Sequence, residues 1–343
     1  MRDTEVGPDL DGESTRFAGS SRRVKVAALV LNWNTPEQTI NCAQALLTST
    51  TVPEVIVIDN GSTDDSWERL QSLGRSCTLV QTGKNLGYAG GNNVGIALAL
   101  ALGVDYVWVI NNDAVPAKES LAEMLRVIEA DPAVGLVVPT ILYGSSDRVW
   151  YAGGSYNKTR GTVSHHFINA RLEDVPGAAV DTGFATGCSL LIRASVLSLV
   201  GFLDARFFLY WEDVEFADRV RRAGFRVVHC PSALVWHHVG AASGAADGAS
   251  PNFYYYGLRN RLWYLRSCRE DGQEAKSVRV TAGVLVDSAR NIVRREHESR
   301  LKKLGAALRG TLAGWLCAVP SAETGARRSQ VVLLPTDSGT VVE

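Results

Sequence analysis

Carboxylates stand where a reaction could use them in two short runs of this 343-residue chain, and a third run offers imidazoles. The first is Tyr106-Val107-Trp108-Val109-Ile110-Asn111-Asn112-Asp113, an apolar stretch closed by two carboxamides and an acid, with Pro116 just beyond. A lone carboxylate among carboxamides suits a divalent cation that carries phosphate oxygens. The competing reading is an Asx turn that ends the strand. In the second run, Phe207-Phe208-Leu209-Tyr210-Trp211-Glu212-Asp213, aromatic rings precede two adjacent acids. Rings stack on a pyranose face while a carboxylate takes a hydroxyl proton. The same acids would also stabilise the positive end of a helix starting there. The third run, Trp236-His237-His238, is expected in a loop after a strand, where one imidazole could complete a cation site with Asp113.

Buried strands are expected at Val24–Leu31, Val55–Ile58, Cys77–Gln81, Tyr106–Ile110 and Leu136–Ile141. Helices are expected at Pro36–Ser49 (with Thr35 as N-cap), Asp64–Leu73, Asn92–Leu102 and Leu121–Ala130. This alternation implies an α/β fold with a doubly wound, mostly parallel sheet, whose ligands bind at the carboxyl ends of its strands. Asp59 and Asp113 both follow buried strands and so share that edge. Between them, Lys84-Asn85-Leu86-Gly87-Tyr88-Ala89-Gly90-Gly91-Asn92-Asn93 supplies a lysine, carboxamides and glycines just before a helix, where backbone amides could meet phosphate. It matches neither GxGxxG nor GxxxxGK[ST], which weakens the Rossmann dehydrogenase and P-loop readings. Each glycine alone would equally serve a turn or close helix packing.

Past residue 145, glycines suggest a hairpin region, Asp181–Ile192 a strand-pair element, Ser195–Val200 and Val214–Ala223 helices, and Arg226–His229 a strand. Residues 240–250 read as a mobile loop. Four segments follow: 1–22 disordered, 23–265 catalytic, 266–319 a basic helical extension, and 320–343 a disordered tail. The 35 Lys and Arg against 36 Asp and Glu give a charge of −1, so nucleic acid is not an expected partner. Six scattered cysteines read as reduced thiols of a cytoplasmic protein. The acidic start has no apolar core and is not a signal peptide. Val94–Ile110 is interrupted by Gly103 and Asp105, so it reads as helix plus strand rather than a membrane span. The basic stretch Ser277–Trp315 suits either an anionic membrane surface or a solvated face. Homo-oligomerisation is left open.

Taken in order, Leu31-Asn32-Trp33-Asn34, Ile58-Asp59-Asn60-Gly61-Ser62-Thr63-Asp64, Asn85 to Asn93, Asn111-Asn112-Asp113, Trp211-Glu212-Asp213 and Trp236-His237-His238 resemble the family 2 glycosyltransferases. The likeness is greatest to their rhamnosyltransferase and galactofuranosyltransferase-like branch. Tyr254-Tyr255-Tyr256-Gly257-Leu258-Arg259-Asn260-Arg261 adds to it, and the resemblance spans about residues 24–265. It implies a GT-A fold, a nucleotide-binding half joined to an acceptor half, and inversion at the anomeric carbon. By the same resemblance Asp59 contacts the pyrimidine, and Asn32 and Asn34 line its pocket. Lys84, Asn85, Gly90 and Asn112 border nucleotide and diphosphate. Asp113 becomes the last residue of a DXD motif that here reads Asn-Asn-Asp. His237 is its partner in holding Mg²⁺ or Mn²⁺, with His238 an adjacent competitor. Asp213 becomes the catalytic base, with Tyr210, Trp211 and Glu212 at the acceptor sugar. The implied donor is a dTDP- or UDP-sugar, foremost dTDP-L-rhamnose. The acceptor is a glycan, a lipid-linked glycan or a small molecule, reached in the cytoplasm or at the inner membrane face. A nucleotidyltransferase would need a basic glycine-rich signature near the first strand, which is missing. A non-catalytic nucleotide-sugar-binding module would not need Asp213.

Overall fold

The computed structural model describes residues 24–158, 161–238, 249–267, 274–296, 298–317, 333–336 and 339–342. Strand and helix alternate through the first half: β1 (Val26–Asn32), α1 (Pro36–Leu47), β2 (Glu54–Asp59), α2 (Ser66–Leu70), β3 (Thr78–Gln81), α3 (Gly87–Ala101), β4 (Tyr106–Asn111), β5 (Ala114–Pro116), α4 (Ser120–Ala130) and β6 (Val134–Tyr143). Then come β7 (Val149–Tyr151), the hairpin β8 (Gly154–Asn157) and β9 (Thr162–His165), β10 (Val180–Asp181), β11 (Ser189–Arg193), α5 (Ala194–Val200), α6 (Glu212–Arg222) and β12 (Arg226–His237). Helices α7 (Pro251–Ser267), α8 (Glu274–Arg295) and α9 (Arg300–Leu316) follow, then β13 (Leu333–Thr336) and β14 (Gly339–Val342).

β3-β2-β1-β4 are all parallel. Apart from the half-buried Leu31, the valines, isoleucines and leucines of β1, β2 and β4 are buried on both faces, as a sheet covered by helices requires. The chain goes from β1 to β2 on one side and returns to β4 on the other. That reversal opens a crevice at the carboxyl ends of β1 and β4. Beyond β4 the sheet turns mixed, because β11 runs antiparallel between β4 and β6 while β12 runs parallel to β6.

Several expectations need correction. Helix α3 starts at Gly87, so Gly90 and Gly91 lie inside it rather than in a loop ahead of it. A Cβ on Gly91 would come within 2.5 Å of Leu31, and one on Gly95 within 2.8 Å of Ile58, so the glycine run lets α3 lie on the sheet. Asp181–Ile192 is not a strand pair: β10 joins β12, and β11 joins β4 and β6. Arg226–His229 is only the start of a longer β12, which contains His237 as its last residue instead of leaving it in a loop. Thr35 precedes α1, but its hydroxyl makes no cap bond. The tail contains β13 and β14, the latter parallel to β3. The boundary placed after residue 265 falls within α7. Residues 1–22 and most of the 240–250 loop lie outside the described residues.

Candidate functional site

Asp59 ends β2 with both oxygens engaged. Oδ1 accepts from Asn32 Nδ2 at 3.0 Å and from the Ser62 hydroxyl at 2.5 Å, and Oδ2 faces Gln81 Nε2 at 3.3 Å. Asn34 sits in the left-handed region (φ 56°) and accepts the Thr63 amide at 2.8 Å, closing the loop over Asp59. Asn32 in turn accepts the Thr39 hydroxyl at 2.7 Å. The Asn112 amide donates to Thr35 Oγ1 at 2.7 Å and to Thr39 Oγ1 at 3.0 Å. A hydrogen-bonded chain thus links Asp59 to the residue beside Asp113. The Asn112 side chain is committed to α1, so its amide is directed at protein groups. Asn85 Oδ1 accepts the Gly87 amide at 2.8 Å, and Asn60 ties this turn to β2 through the Leu86 amide at 3.0 Å. Lys84 is exposed, with its backbone against Gly61.

Register brings the next pair together. β12 runs antiparallel to β5 with His237 opposite Ala114, and the His238 amide donates to Asp113 O at 2.9 Å. His237 Nε2 then lies 3.0 Å from Asp113 Oδ1, whereas His238 is exposed. Apart from that ion pair, Asp113 Oδ1 is buried with no further partner, and His237 Nδ1 is buried beside the Cys188 thiol. Burial opposes the His237 charge, but the Cys188 thiol and Asp113 outweigh it and push the pKa up to about 10. Two donors each ~2.1 Å from one small cation stand about 3 Å apart, so once His237 gives up the proton it shares with Asp113 this pair fits Mg²⁺ or Mn²⁺. No group of three His, Cys, Asp or Glu side chains able to hold a metal occurs among the described residues. Remaining positions would therefore fall to substrate phosphate and water, which Mg²⁺ commonly accepts.

The third constellation is held under strain. Phe208, Tyr210 and Trp211 have φ of 64°, 66° and 76°. Such conformations cost ~1–3 kcal/mol each and persist only where the surroundings enforce them. Here the enforcement comes from α7. The buried Asn260 amide donates to the carbonyls of Phe207, Leu209 and Tyr210, each at 2.8 Å, and Arg259 adds a bond to Phe207 O at 2.8 Å. The turn delivers Glu212 and Asp213 as the first residues of α6. Asp213 keeps a partly open side, and it accepts the amides of Gly187 and Val214 at 2.8 Å each. Burial raises its pKa and those amides oppose the rise. Glu212 is only 4 % exposed, with Oε2 lacking a partner; burial and then the charge of Asp213 raise its pKa well above the usual range. Trp211 packs against Tyr264 and Tyr156, and Tyr210 against Phe253, so both rings belong to the packing around the turn.

One dipeptide joins the last two constellations. Gly187 gives its amide to Asp213, while Cys188 O accepts the Asn111 amide at 2.9 Å and its thiol lies beside His237. The Tyr88 hydroxyl donates to Gly187 O at 2.6 Å, and this buried phenol feels Glu212, Asp213 and Asp113 together. Thr39 and Gly187 were missed in the sequence because a helical threonine and a loop glycine carry no pattern of their own. Ser62, Tyr88 and Asn260 lay inside quoted motifs without an assigned role.

The model of "Glycosyl transferase family 2" matches residues 30–199. The chain is 31% identical, over 55% of its own length and 68% of the relative's, to an N-acetylglucosaminyl-diphospho-decaprenol L-rhamnosyltransferase of Mycobacterium tuberculosis. It is 30% identical, over 63% of its length and 71% of the relative's, to galactofuranosyltransferase GlfT1 of the same species. Among solved structures, GalNAc-T7 with UDP, GalNAc and Mn²⁺ superposes with a TM-score of 0.59 at 13% identity, covering 83% of this chain and 54% of that one. TarS of S. aureus in complex with UDP-GlcNAc gives 0.51 at 15% identity, covering 84% and 81%. These likenesses agree with the GT-A fold, and the sequence relatives carry the assignment: the chain is a glycosyltransferase of family 2.

Proposed function

We propose that this enzyme moves a sugar, first of all L-rhamnose from dTDP-L-rhamnose, onto an acceptor hydroxyl of a cell-envelope glycan with inversion of the anomeric centre. The observation that carries the reading is the Gly187-Cys188 dipeptide, which sets a partly open carboxylate beside the Asp113–His237 pair. The two mycobacterial relatives, a rhamnosyltransferase and a galactofuranosyltransferase, support the sugar class.

In this reading Asp59, Asn32, Asn34 and Ser62 hold the pyrimidine nucleoside, and the turn from Lys84 to Gly87 borders the diphosphate. Asp113 and His237 would hold Mg²⁺ or Mn²⁺, which when bound offsets the charge of the diphosphate as it departs. Asp213 takes the proton of the acceptor hydroxyl while that oxygen attacks the anomeric carbon. The bond to the diphosphate breaks on the opposite face, so configuration inverts. The amides of Gly187 and Val214 favour the anionic form of Asp213 against burial and aim it. Burial and the neighbouring Asp213 disfavour a second negative charge on Glu212. A UDP-sugar donor is the second reading, favoured by the two like-folded structures with UDP and UDP-GlcNAc. Thymine differs from uracil by one methyl, worth only ~1–3 kcal/mol in a pocket. A cytoplasmic location, at the inner membrane face for a lipid-linked acceptor, accords with a nucleotide-sugar donor.

The test is to incubate the protein with dTDP-rhamnose and a panel of UDP-sugars, with Mg²⁺ or Mn²⁺, and measure release of nucleoside diphosphate. One donor should turn over, and EDTA should stop it. Full turnover in EDTA would sink the metal assignment. Thermal stabilisation by a nucleotide with no donor consumed would sink the transfer reading.

A further inference from the structure

Helix α9 presents its apolar side chains the wrong way round for a helix packed on a domain. Its inner face is small or neutralised. A Cβ on Gly310 would lie 2.3 Å from Tyr255 O and one on Gly314 2.8 Å from Arg259 O, so α9 touches α7 at glycine distance. Lys303 is buried there, paired with Glu296 at 2.6 Å, and Glu296 also accepts the Tyr254 hydroxyl at 2.8 Å. Arg266 closes the end of α9 through the carbonyls of Gly314, Trp315 and Cys317. The helix is therefore fixed, with one face committed.

The other face carries Leu301, Leu308, Leu312, Trp315 and Leu316, all exposed, Leu301 by 85 % and Leu316 by 73 %. At ~100° per residue these five fall within an arc of about 100° opposite Gly310. Lys302 and Arg309, also exposed, line one edge of the arc, and α9 contains no acidic residue. A contiguous apolar stripe of this kind marks an interaction site. A stripe of leucines and a tryptophan edged by cations is the composition of a helix that lies in a lipid interface. No helix among the described residues is long and apolar enough to cross a membrane, so the contact would be adsorption to the surface.

We propose that the outward face of α9 docks this enzyme on an anionic lipid bilayer, with the leucine stripe and Trp315 in the interface and Lys302 and Arg309 on the headgroups. A neutral protein partner would not need the basic edge. A second copy of the chain would set Lys302 and Arg309 against their own kind or leave them idle. The inference does not depend on which sugar is transferred.

The test is sedimentation of the full chain with vesicles of phosphatidylcholine, alone or mixed with phosphatidylglycerol, beside light scattering and thermal melting. Binding should appear with the anionic mixture and weaken in salt. Leu308→Ser with Leu312→Ser should weaken it at least about tenfold, and Lys302→Glu with Arg309→Glu by roughly an order of magnitude. Soluble donor turnover and melting temperature should hold in both variants, because exposed substitutions are nearly neutral. Any of three results would overturn the proposal. These are an unbound wild-type chain, a dimer that Leu308→Ser breaks, and a melting loss of several degrees in Leu308→Ser, which would mean the chain itself covers this face. Since binding is read without turnover, an inactive preparation that still sediments with anionic vesicles would count against the transfer reading only.

Discussion

At the carboxyl end of β2, Asp59 is ringed by donors from Asn32, Ser62 and Gln81, whereas at the ends of β4 and β12 and the start of α6 the polar groups are left wanting. Glu212 Oε2 is buried without a hydrogen-bond partner, and Asp113 Oδ1 and His237 have little but each other and the Cys188 thiol, beside a turn with three side-chain-bearing residues at positive φ. Native proteins rarely leave buried polar atoms unpaired, and where they do a ligand or a reaction usually accounts for it. The satisfied end is shaped before substrate arrives. The unsatisfied end is completed by what binds there.

Substitutions at the two ends should therefore fail differently. The largest effect belongs to Asp213→Asn, expected to lower kcat by ~10²–10⁴-fold while nucleotide affinity stays within about twofold; comparable losses in both would mean the two ends are not separate. Asn260→Asp comes next. It replaces an amide that donates to three carbonyls with a carboxylate that repels them, so the strained turn should relax and kcat fall ~100-fold. Nucleotide titration should again be unaffected, and Asn260→Gln should restore part of the rate. At the satisfied end, Asp59→Ala strands Asn32 and Ser62 and should weaken nucleotide binding by ~10–100-fold, with kcat at saturating donor nearly unchanged. The smallest effect is in stability. Burial raises the pKa of Glu212 in the folded chain, so below its unfolded pKa both states are protonated and nothing is lost. As pH rises above that value the unfolded chain ionises first and the fold is weakened. Glu212→Gln removes this cost and should raise the melting temperature by ~2–4 °C at mildly alkaline pH, with the gain vanishing in acid.

The parallel half of the fold was legible because its strands are short, largely apolar and punctuated, and Asp59 and Asp113 could be placed at one edge from strand direction alone. The choice of His237 over His238 came from the family resemblance alone, and its physical reason is the register of β12 against β5, a pairing across more than a hundred residues. The start of α3 was misplaced for the opposite reason. The glycine-rich run looks like a turn ahead of the helix, yet α3 begins at Gly87, and Gly91 and Gly95 serve its close approach to the sheet. Asn260 stood in a motif whose purpose shows only when α7 is seen gripping the turn at Phe208–Trp211. The inward Glu212 and the partly open Asp213 are neighbours in sequence that only the start of α6 tells apart.

The Asn112 amide, bonded to Thr35 and Thr39, has a last consequence. Thr39 already gives its proton to Asn32, so an aspartate at 112 would meet an oxygen instead of a donor, and the link from Asp59 would part. With the carboxamide in place, the end of β2 and the end of β4 are tied at a fixed span. Any ligand that touches both strand ends therefore meets two positions whose spacing is set before it binds.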